Sequence, residues 1–465
     1  MAPPSARLPG NRPNSSRHPA PRIGVPTKPP ASRAVRRNRP AIIAAAPAEP
    51  HPRTMPVPLP LSGPRLLERF RALDDFLLEH QAFWRPRPFN LPRLPWEERH
   101  PELAAWLRRR SLEDAEAAHN HPERLDAPAP FAMLAAASLA LGETGELPAT
   151  AEDAAPERFA VDVPGRKWQQ IRHFASRLRF ASQPRHWLDW CAGKGHLGRA
   201  LAHDGTPLTC LEHDVELVAS GQALSDRLEL AARHRLQDVL ADDAAARLDA
   251  SHTPVALHAC GELHTRLLQL ASAVGCRQLA VAPCCYNRID SADYRPLSDA
   301  ARASRLQLSR DDLRLPLSET VTASARARRQ RDQSMARRLA FDLLQRELRG
   351  VDAYLPTPSL PVAWLQKDFA DYCRDLAALK DLPVPAARDW QALEARGWQR
   401  LAEVRNLELP RALFRRPLEL WLLLDRALYL EEQGYQVRLG RFCPTQLTPR
   451  NHLLLAERVT HITCG

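Results

Sequence analysis

No apolar run in this 465-residue chain approaches the ~18 residues expected of a membrane-spanning helix, so a membrane role is not expected. The first residues lack the apolar stretch of a secretory signal. The nine cysteines include no Cys-x-x-Cys pair, and Cys191, Cys260, Cys284 and Cys285 fall at predicted strand ends or loops. That pattern fits reduced thiols in a cytoplasmic protein better than a disulfide framework. Acids are scarce at the start: residues 1–54 carry ten basic side chains and one acid, Glu49. The segment therefore supplies +9 of the net +11, leaving +2 for the rest. A nucleic-acid reading drawn from overall charge thus fails for the body of the chain. With much Pro, Arg and Ser and almost no aromatics, residues 1–55 are expected to be a disordered tail. Met55 is an alternative start; otherwise the tail offers a weak contact to polyanions. There is no internal repeat.

What is present is a strand-turn-helix signature, His186-Trp-Leu-Asp-Trp-Cys-Ala-Gly-Lys-Gly-His-Leu-Gly-Arg-Ala-Leu201. It predicts a buried strand ending at Asp189, a tight turn through Ala192, Gly193 and Gly195, then a helix. Such a turn lets a ligand approach the backbone at a helix N-terminus. A second apolar strand, Leu208-Thr-Cys-Leu-Glu-His-Asp214, places Glu212 where a carboxylate accepts hydrogen bonds from a ribose diol. Asp238 follows a third strand. Pro254-Val-Ala-Leu-His-Ala-Cys-Gly261 runs into His258 and Cys260, and Gln278-Leu-Ala-Val-Ala-Pro-Cys-Cys-Tyr286 ends in Cys284, Cys285 and Tyr286. Strands alternating with helices predict an α/β fold with a parallel sheet and ligands at the carboxyl ends of its strands.

On these residues the chain resembles class I S-adenosylmethionine-dependent methyltransferases. It is similar more narrowly to the group with Asp-x-Cys-x-Gly-x-Gly-His-Leu, Leu-His-x-Cys-Gly and Cys-Cys-Tyr segments, which includes the glutathione S-transferase C-terminal-domain-containing protein. A more distant resemblance is to a tRNA 2′-O-methyltransferase family with a similar Gly-Lys-Gly loop and Cys-Cys segment. The resemblance covers roughly residues 160–300 and resumes near 435–460. It implies a Rossmann-like class I methyltransferase sheet and S-adenosyl-L-methionine as cofactor. The implied cofactor contacts are Asp189, Cys191, Ala192, Gly193, Gly195, Leu197, Glu212, Asp238 and His258. Asp189 would orient the loop or meet the cofactor amine, Glu212 the ribose, and Asp238 the adenine amino group. Cys191 stands where the usual loop has Gly, and the turn survives if that residue keeps φ below zero.

Five segments are expected. After the tail come an N-terminal helical accessory domain (62–155) and the cofactor-binding core (160–300). A helical insertion before the last two strands (301–434) suits substrate recognition, and 435–460 supplies the final antiparallel pair. The helix beginning at Pro164-Gly165 has an apolar face of Trp168, Ile171, Phe174, Ala175 and Leu178. Lys167 lies off that face, either solvated or reaching the cofactor carboxylate. Arg326, Arg328, Arg329, Arg331, Arg337 and Arg338 crowd thirteen positions with one acid, Asp332. They form either a solvated charged helix or a contact for an anion or RNA.

Acceptor chemistry is assigned to His258, Cys285 and Tyr286, with His258 a candidate proton acceptor. The fourth strand lacks the Asn/Asp-Pro-Pro-aromatic signature of many N-methyltransferases, which lowers the weight of an exocyclic-amine acceptor. RNA, protein and small molecules stay open, with RNA slightly favoured. No metal site is expected: His258, Cys260, His264, Cys284 and Cys285 share a strand-end region, but adjacent Cys284 and Cys285 diverge if extended. Two alternatives remain. One is a nicotinamide-dependent oxidoreductase, although the loop is not Gly-x-Gly-x-x-Gly. The other is a cofactor fold used as an interaction scaffold.

Overall fold

The computed structural model describes residues 58–150, 155–318 and 325–459, and the expected tail lies outside them. The described residues form one compact unit. The chain enters through a two-residue strand, β1 (Leu61–Ser62), and five helices: α1 (Pro64–Glu79), α2 (Gln81–Trp84), α3 (Pro101–Arg108), α4 (Leu112–Ala118) and α5 (Phe131–Gly142). Helix α6 (Gly165–Ala175) then leads into β2 (His186–Trp190), α7 (His196–Leu201), β3 (Leu208–Glu212), α8 (Val215–Arg227) and β4 (Ala232–Leu236). Next come β5 (His252–Cys260), α9 (Glu262–Val274) and β6 (Gln278–Cys284). Five helices separate these from the closing strands: α10 (Asp299–Ala303), α11 (Ala325–Arg349), α12 (Phe369–Leu379), α13 (Trp390–Ala412) and α14 (Arg415–Glu432). Strands β7 (Tyr435–Arg441) and β8 (His452–Arg458) complete the sheet.

The eight strands are ordered β1-β7-β8-β6-β5-β2-β3-β4. Strands β6, β5, β2, β3 and β4 run parallel, while β8 is antiparallel to both β6 and β7. This is the α/β, Rossmann-like methyltransferase sheet with its antiparallel closing pair. The strand order reverses between β2 and β5, so a cleft is expected beyond their carboxyl ends.

Two apolar layers follow from the period-2 alternation of strand side chains. Leu188, Trp190, Leu211, Ala256 and Val281 face a core shared with α1, α5, α9 and α14. Trp187, Cys210, Val255, Ala280 and Ala282 face the other, shared with α6 and α7. Helices on both faces explain why β2 and β6 read as near-continuous buried runs. Helices α1 and α5 thus lie on the same core as the sheet: Phe70 of α1 meets Trp421 of α14 with ring centres 5.2 Å apart, and β1 adds an edge strand to β7. Helices α11 and α12 build a smaller apolar cluster with the start of α13. No helix among the described residues is long and apolar enough to cross a membrane.

Helix α14 is enclosed along most of its length, with Leu418, Leu420, Leu422, Leu423, Leu424 and Leu430 all inaccessible. Each buried leucine contributes about 1.5–3 kcal/mol relative to exposure. Its polar residues have partners too. Arg426 Nε donates to His264 Nε2 at 2.7 Å, tying α14 to α9.

The arginine-rich stretch falls on α11. Arg331 pairs with Glu116 and Asp332, and Arg337 pairs with Glu394 and donates to the Lys367 carbonyl. Arg338 donates to the Thr357 side chain and the Pro358 carbonyl. Three of the six arginines therefore hold the insertion together, whereas Arg326 and Arg329 are exposed.

Candidate active site

Asp189 is buried one residue before the end of β2, and its Oδ2 accepts the Gly198 N–H at 2.8 Å. That bond anchors the first turn of α7 to the sheet. Gly198 is needed for the close approach, since a Cβ there would stand 3.0 Å from the Asp189 Cβ. Burial pushes the Asp189 carboxyl up to about 7, against the pull of the Gly198 N–H, Lys167 and Arg199.

The turn between β2 and α7 uses three left-handed residues: Cys191 (φ 57°), Gly193 (φ 57°) and Gly195 (φ 74°). The expectation that Cys191 keeps φ below zero is overturned. Cys191 adopts the conformation natural to the usual glycine, with its Cβ costing about 1–2 kcal/mol. Its thiol feels the charges of Glu212, Asp189 and Asp238, and burial together with these acids pushes it well above the ordinary thiol range.

The two glycines do different jobs. A Cβ on Gly193 would meet nothing within 4 Å, so that backbone faces open space. A Cβ on Gly195 would lie 2.5 Å from His234 Cε1 and 3.0 Å from Cys210 Sγ. Gly195 is thus a packing residue, whereas Gly193 faces open space. We expect Gly195→Ala to cost about 2–4 kcal/mol of stability. Gly193→Ala should cost only the left-handed backbone penalty of about 1–2 kcal/mol while weakening ligand binding. Urea unfolding and ligand titration of both variants check this, and equal loss of stability in the two would refute the division.

Glu212 is buried at the end of β3. Its Oε2 accepts the Gly193 N–H at 2.8 Å, and its Oε1 accepts the N–H groups of His213 (2.9 Å) and Asp214 (3.1 Å). The carboxylate is thereby aimed into the turn. The Glu212 carbonyl accepts the Gln237 N–H at 2.8 Å, bringing the end of β4 alongside. Asp238 is exposed there, with its Oδ1 accepting the Leu240 N–H at 3.0 Å. Ala192 is half-buried and its N–H donates to the Leu211 carbonyl. Leu197, named as a cofactor contact, instead turns into the core between α7 and the sheet.

Across the strand-order reversal, β5 carries a register shift between Leu257 and Cys260, and His258 sits in it at φ 71°. His258 is exposed in the cleft, and its Nε2 donates to Gln170 Oε1 at 2.7 Å. Gln170, on α6, is itself held by the Leu447 carbonyl. With Nε2–H so engaged, Nδ1 is the acceptor of the neutral ring. Surrounding protein, then the Lys167 and Arg450 cations, hold this histidine below its ordinary value, with Cys285 opposing. Gln170 gave no sequence signal, because an isolated polar residue on an amphipathic helix reads as solvated.

At the end of β6, Cys285 takes φ 44°. The expectation that Cys284 and Cys285 diverge does not hold. The left-handed residue bends the chain, and the sulfurs of Cys260, Cys284 and Cys285 lie within 4.8 Å of one another. Cys260 and Cys284 are 3.4 Å apart across paired strands. Thiol donors from Cys260 and Cys284, then Arg450 and Arg288, hold Cys285 well below the ordinary thiol range. His264, named with this group, stands apart: its Nδ1 donates to the Ala259 carbonyl at 3.0 Å and its Nε2 faces Arg426.

Tyr286 is also corrected. It is 1% exposed and packs under the Arg426 guanidinium at 5.3 Å, not at the mouth of the cleft. The bend at Cys285 that exposes one side chain sends the next inward. Burial, with Glu419 adding to it, raises the Tyr286 hydroxyl far above its ordinary range, so it does not serve as a base.

A cavity of about 710 Å³ is lined by His186, Arg233, Arg235, Arg247 and His252. It lies at the amino ends of the strands, opposite Asp189 and Glu212, and takes no part in this arrangement.

Comparison with known proteins bears on residues 166–292, which match the family described as a methyltransferase domain. The chain is similar to the co-crystal structure of WbdD with the kinase inhibitor LY294002, at 18% identity, 30% of this chain, 38% of that one and TM-score 0.20. It is also similar to the structure of the 16S rRNA methylase RmtB, at 17% identity, 46% of this chain, 83% of that one and TM-score 0.18. The chain thus spans 38% of the length of the first of these, and likenesses of this size add nothing to the strand order described above. A search of curated proteins found no match. The matched stretch runs from α6 past the end of β6, taking in the glycine turn, Glu212, His258 and the cysteine cluster, so residues 166–292 match a methyltransferase domain.

Proposed function

We propose that this chain is a cytoplasmic enzyme that transfers a methyl group from S-adenosylmethionine to RNA. The observation that carries the cofactor reading is the pairing of Gly193 with Glu212: an open left-handed backbone whose N–H is held by a buried carboxylate on the adjacent strand. These residues suit the cofactor. Glu212 Oε1 is taken up by the N–H groups of His213 and Asp214 and by His213 Nδ1 at 2.8 Å, so a ribose diol would bind at Oε2, sharing it with the Gly193 N–H. Asp189 would meet the cofactor amine, Asp238 the adenine amino group and Lys167 the carboxylate. S-adenosylmethionine supplies an electrophilic methyl on a sulfonium.

On the acceptor side, the neutral His258 Nδ1 accepts a proton from an acceptor hydroxyl, and Gln170 fixes the ring for that task. Lys167, Arg288 and Arg450 act electrostatically on His258 or Cys285, and this cationic mouth supports a phosphate-bearing acceptor. The exposed Arg326 and Arg329 of α11 offer further phosphate contacts.

Calorimetric titration with S-adenosylmethionine and S-adenosylhomocysteine, with NAD as control, tests the cofactor. Binding of NAD alone, or of none, would overturn it. The pH dependence is more specific. Asp189 is raised from 3.8 to about 7 in the fold. Its neutral form contributes stability that is fully present below about pH 4 and is lost as pH rises through about 7. The cationic cofactor favours the ionised carboxylate, so affinity should rise between about pH 6 and about pH 8, with a proton released on binding. Asp189→Asn should flatten both trends. For the acceptor, transfer of labelled methyl into an RNA fraction is expected; label in protein alone would overturn the RNA reading.

A further inference from the structure

We propose that Cys260, Cys284 and Cys285 form a binding site for a thiophilic divalent metal ion, zinc being the ion their chemistry favours, with one coordination position left open toward the cleft. This goes beyond the methyl-transfer reading and does not rest on it. Three thiol sulfurs within 4.8 Å of one another offer a ready set of ligands. Zinc–sulfur bonds of about 2.3 Å in tetrahedral geometry place sulfurs roughly 3.8 Å apart, a small adjustment from what is seen here. Soft thiolates select zinc over magnesium or calcium.

Three separate backbone departures produce the cluster. The register shift between Leu257 and Cys260 sets Cys260 directly opposite Cys284. Gly261 takes φ 56°, and a Cβ there would lie 1.9 Å from the Arg288 carbonyl oxygen. Only glycine therefore lets the 285–288 turn, closed by Arg288 N–H to the Cys285 carbonyl, lie against the end of β5. Finally, Cys285 adopts a left-handed conformation that a side chain disfavours, without which neighbouring thiols would point apart. Of the three, the left-handed Cys285 is the strained one, and such strain is commonly kept at functional sites.

The surroundings define how many ligands the chain supplies. His258 is turned to Gln170, and both nitrogens of His264 are engaged. Cys284 is buried, whereas Cys260 and Cys285 are half-buried. Three protein ligands with an accessible side leave a fourth position for water or an incoming ligand.

The test uses the full chain, stripped with a chelator under reducing conditions and titrated with cobalt(II), then zinc(II). One equivalent of cobalt should give sulfur-to-metal charge-transfer absorption and strong tetrahedral visible bands, which zinc abolishes. Cys260→Ser and Cys285→Ser should each weaken binding at least about tenfold, while Cys373→Ser on α12 should leave it unchanged. Should the first two variants not fold, alkylation of the wild-type chain decides: zinc should protect Cys260, Cys284 and Cys285 together. Absence of the cobalt spectrum, protection of other cysteines, or a Cys260–Cys284 disulfide persisting under reductant would overturn the proposal.

Discussion

Replacing Glu212 by alanine should lower affinity for S-adenosylhomocysteine by on the order of 10²–10⁴-fold, measured by calorimetry. Hydrogen bonds to a charged partner are worth about 1.5–3 kcal/mol each, and a ribose diol would lose two of them. The same carboxylate accepts the N–H groups of Gly193, His213 and Asp214, so its loss also releases the turn that faces the ligand. Glu212→Gln separates the two effects. The amide keeps one accepting oxygen for the turn but replaces the other by a donor, so binding should remain impaired while the fold is largely kept. Undiminished affinity in both variants would place the cofactor elsewhere and remove the basis of the functional reading.

The second large effect is on stability. Asp425 of α14 is fully buried, and its oxygens accept the Leu297 N–H (3.0 Å), the Ser298 N–H (2.7 Å) and the Ser298 hydroxyl (2.7 Å), as well as the Tyr294 hydroxyl. Asp425→Ala strands all of these donors away from water. We expect a loss of about 3–5 kcal/mol in equilibrium urea unfolding. The consequence reaches the site, because these bonds fasten the segment following Cys285 and Tyr286 to the central helix. Asp425→Asn keeps the volume and part of the accepting capacity and should lose less. A change below about 1 kcal/mol in the alanine variant would show that water replaces these bonds easily.

The glycine turn was legible because its chemistry is local. Gly193 and Gly195 both take left-handed φ within one short turn, a local demand that glycine meets, and the acids at 189 and 212 lie at the ends of strands whose apolar runs are unmistakable; that Gly195 also packs against His234 was not legible. The alternation of strands and helices likewise carries its own period, so a parallel sheet could be read before any contact was known, while the final antiparallel pair was implied by the resemblance to methyltransferases. Residues whose orientation depends on a distant neighbour were not legible. Tyr286 reads as a strand-end side chain but is drawn under Arg426, 140 positions later. Leu197 reads as part of the loop but fills the core.

Sequence alone thus determined the class of fold and the location of the glycine turn and of the buried acids at 189 and 212, because turn geometry and side-chain periodicity act over a handful of residues. Tertiary structure decided the rest. It set Cys191, His258 and Cys285 in left-handed conformations that no local preference selects, turned His258 onto Gln170 of another helix, and gathered three cysteines from two strands. It also committed Arg331, Arg337 and Arg338 to internal partners. Each outcome depends on packing between segments far apart in the chain, where the energy of many contacts outweighs the one or two kcal/mol by which a residue prefers its own backbone geometry.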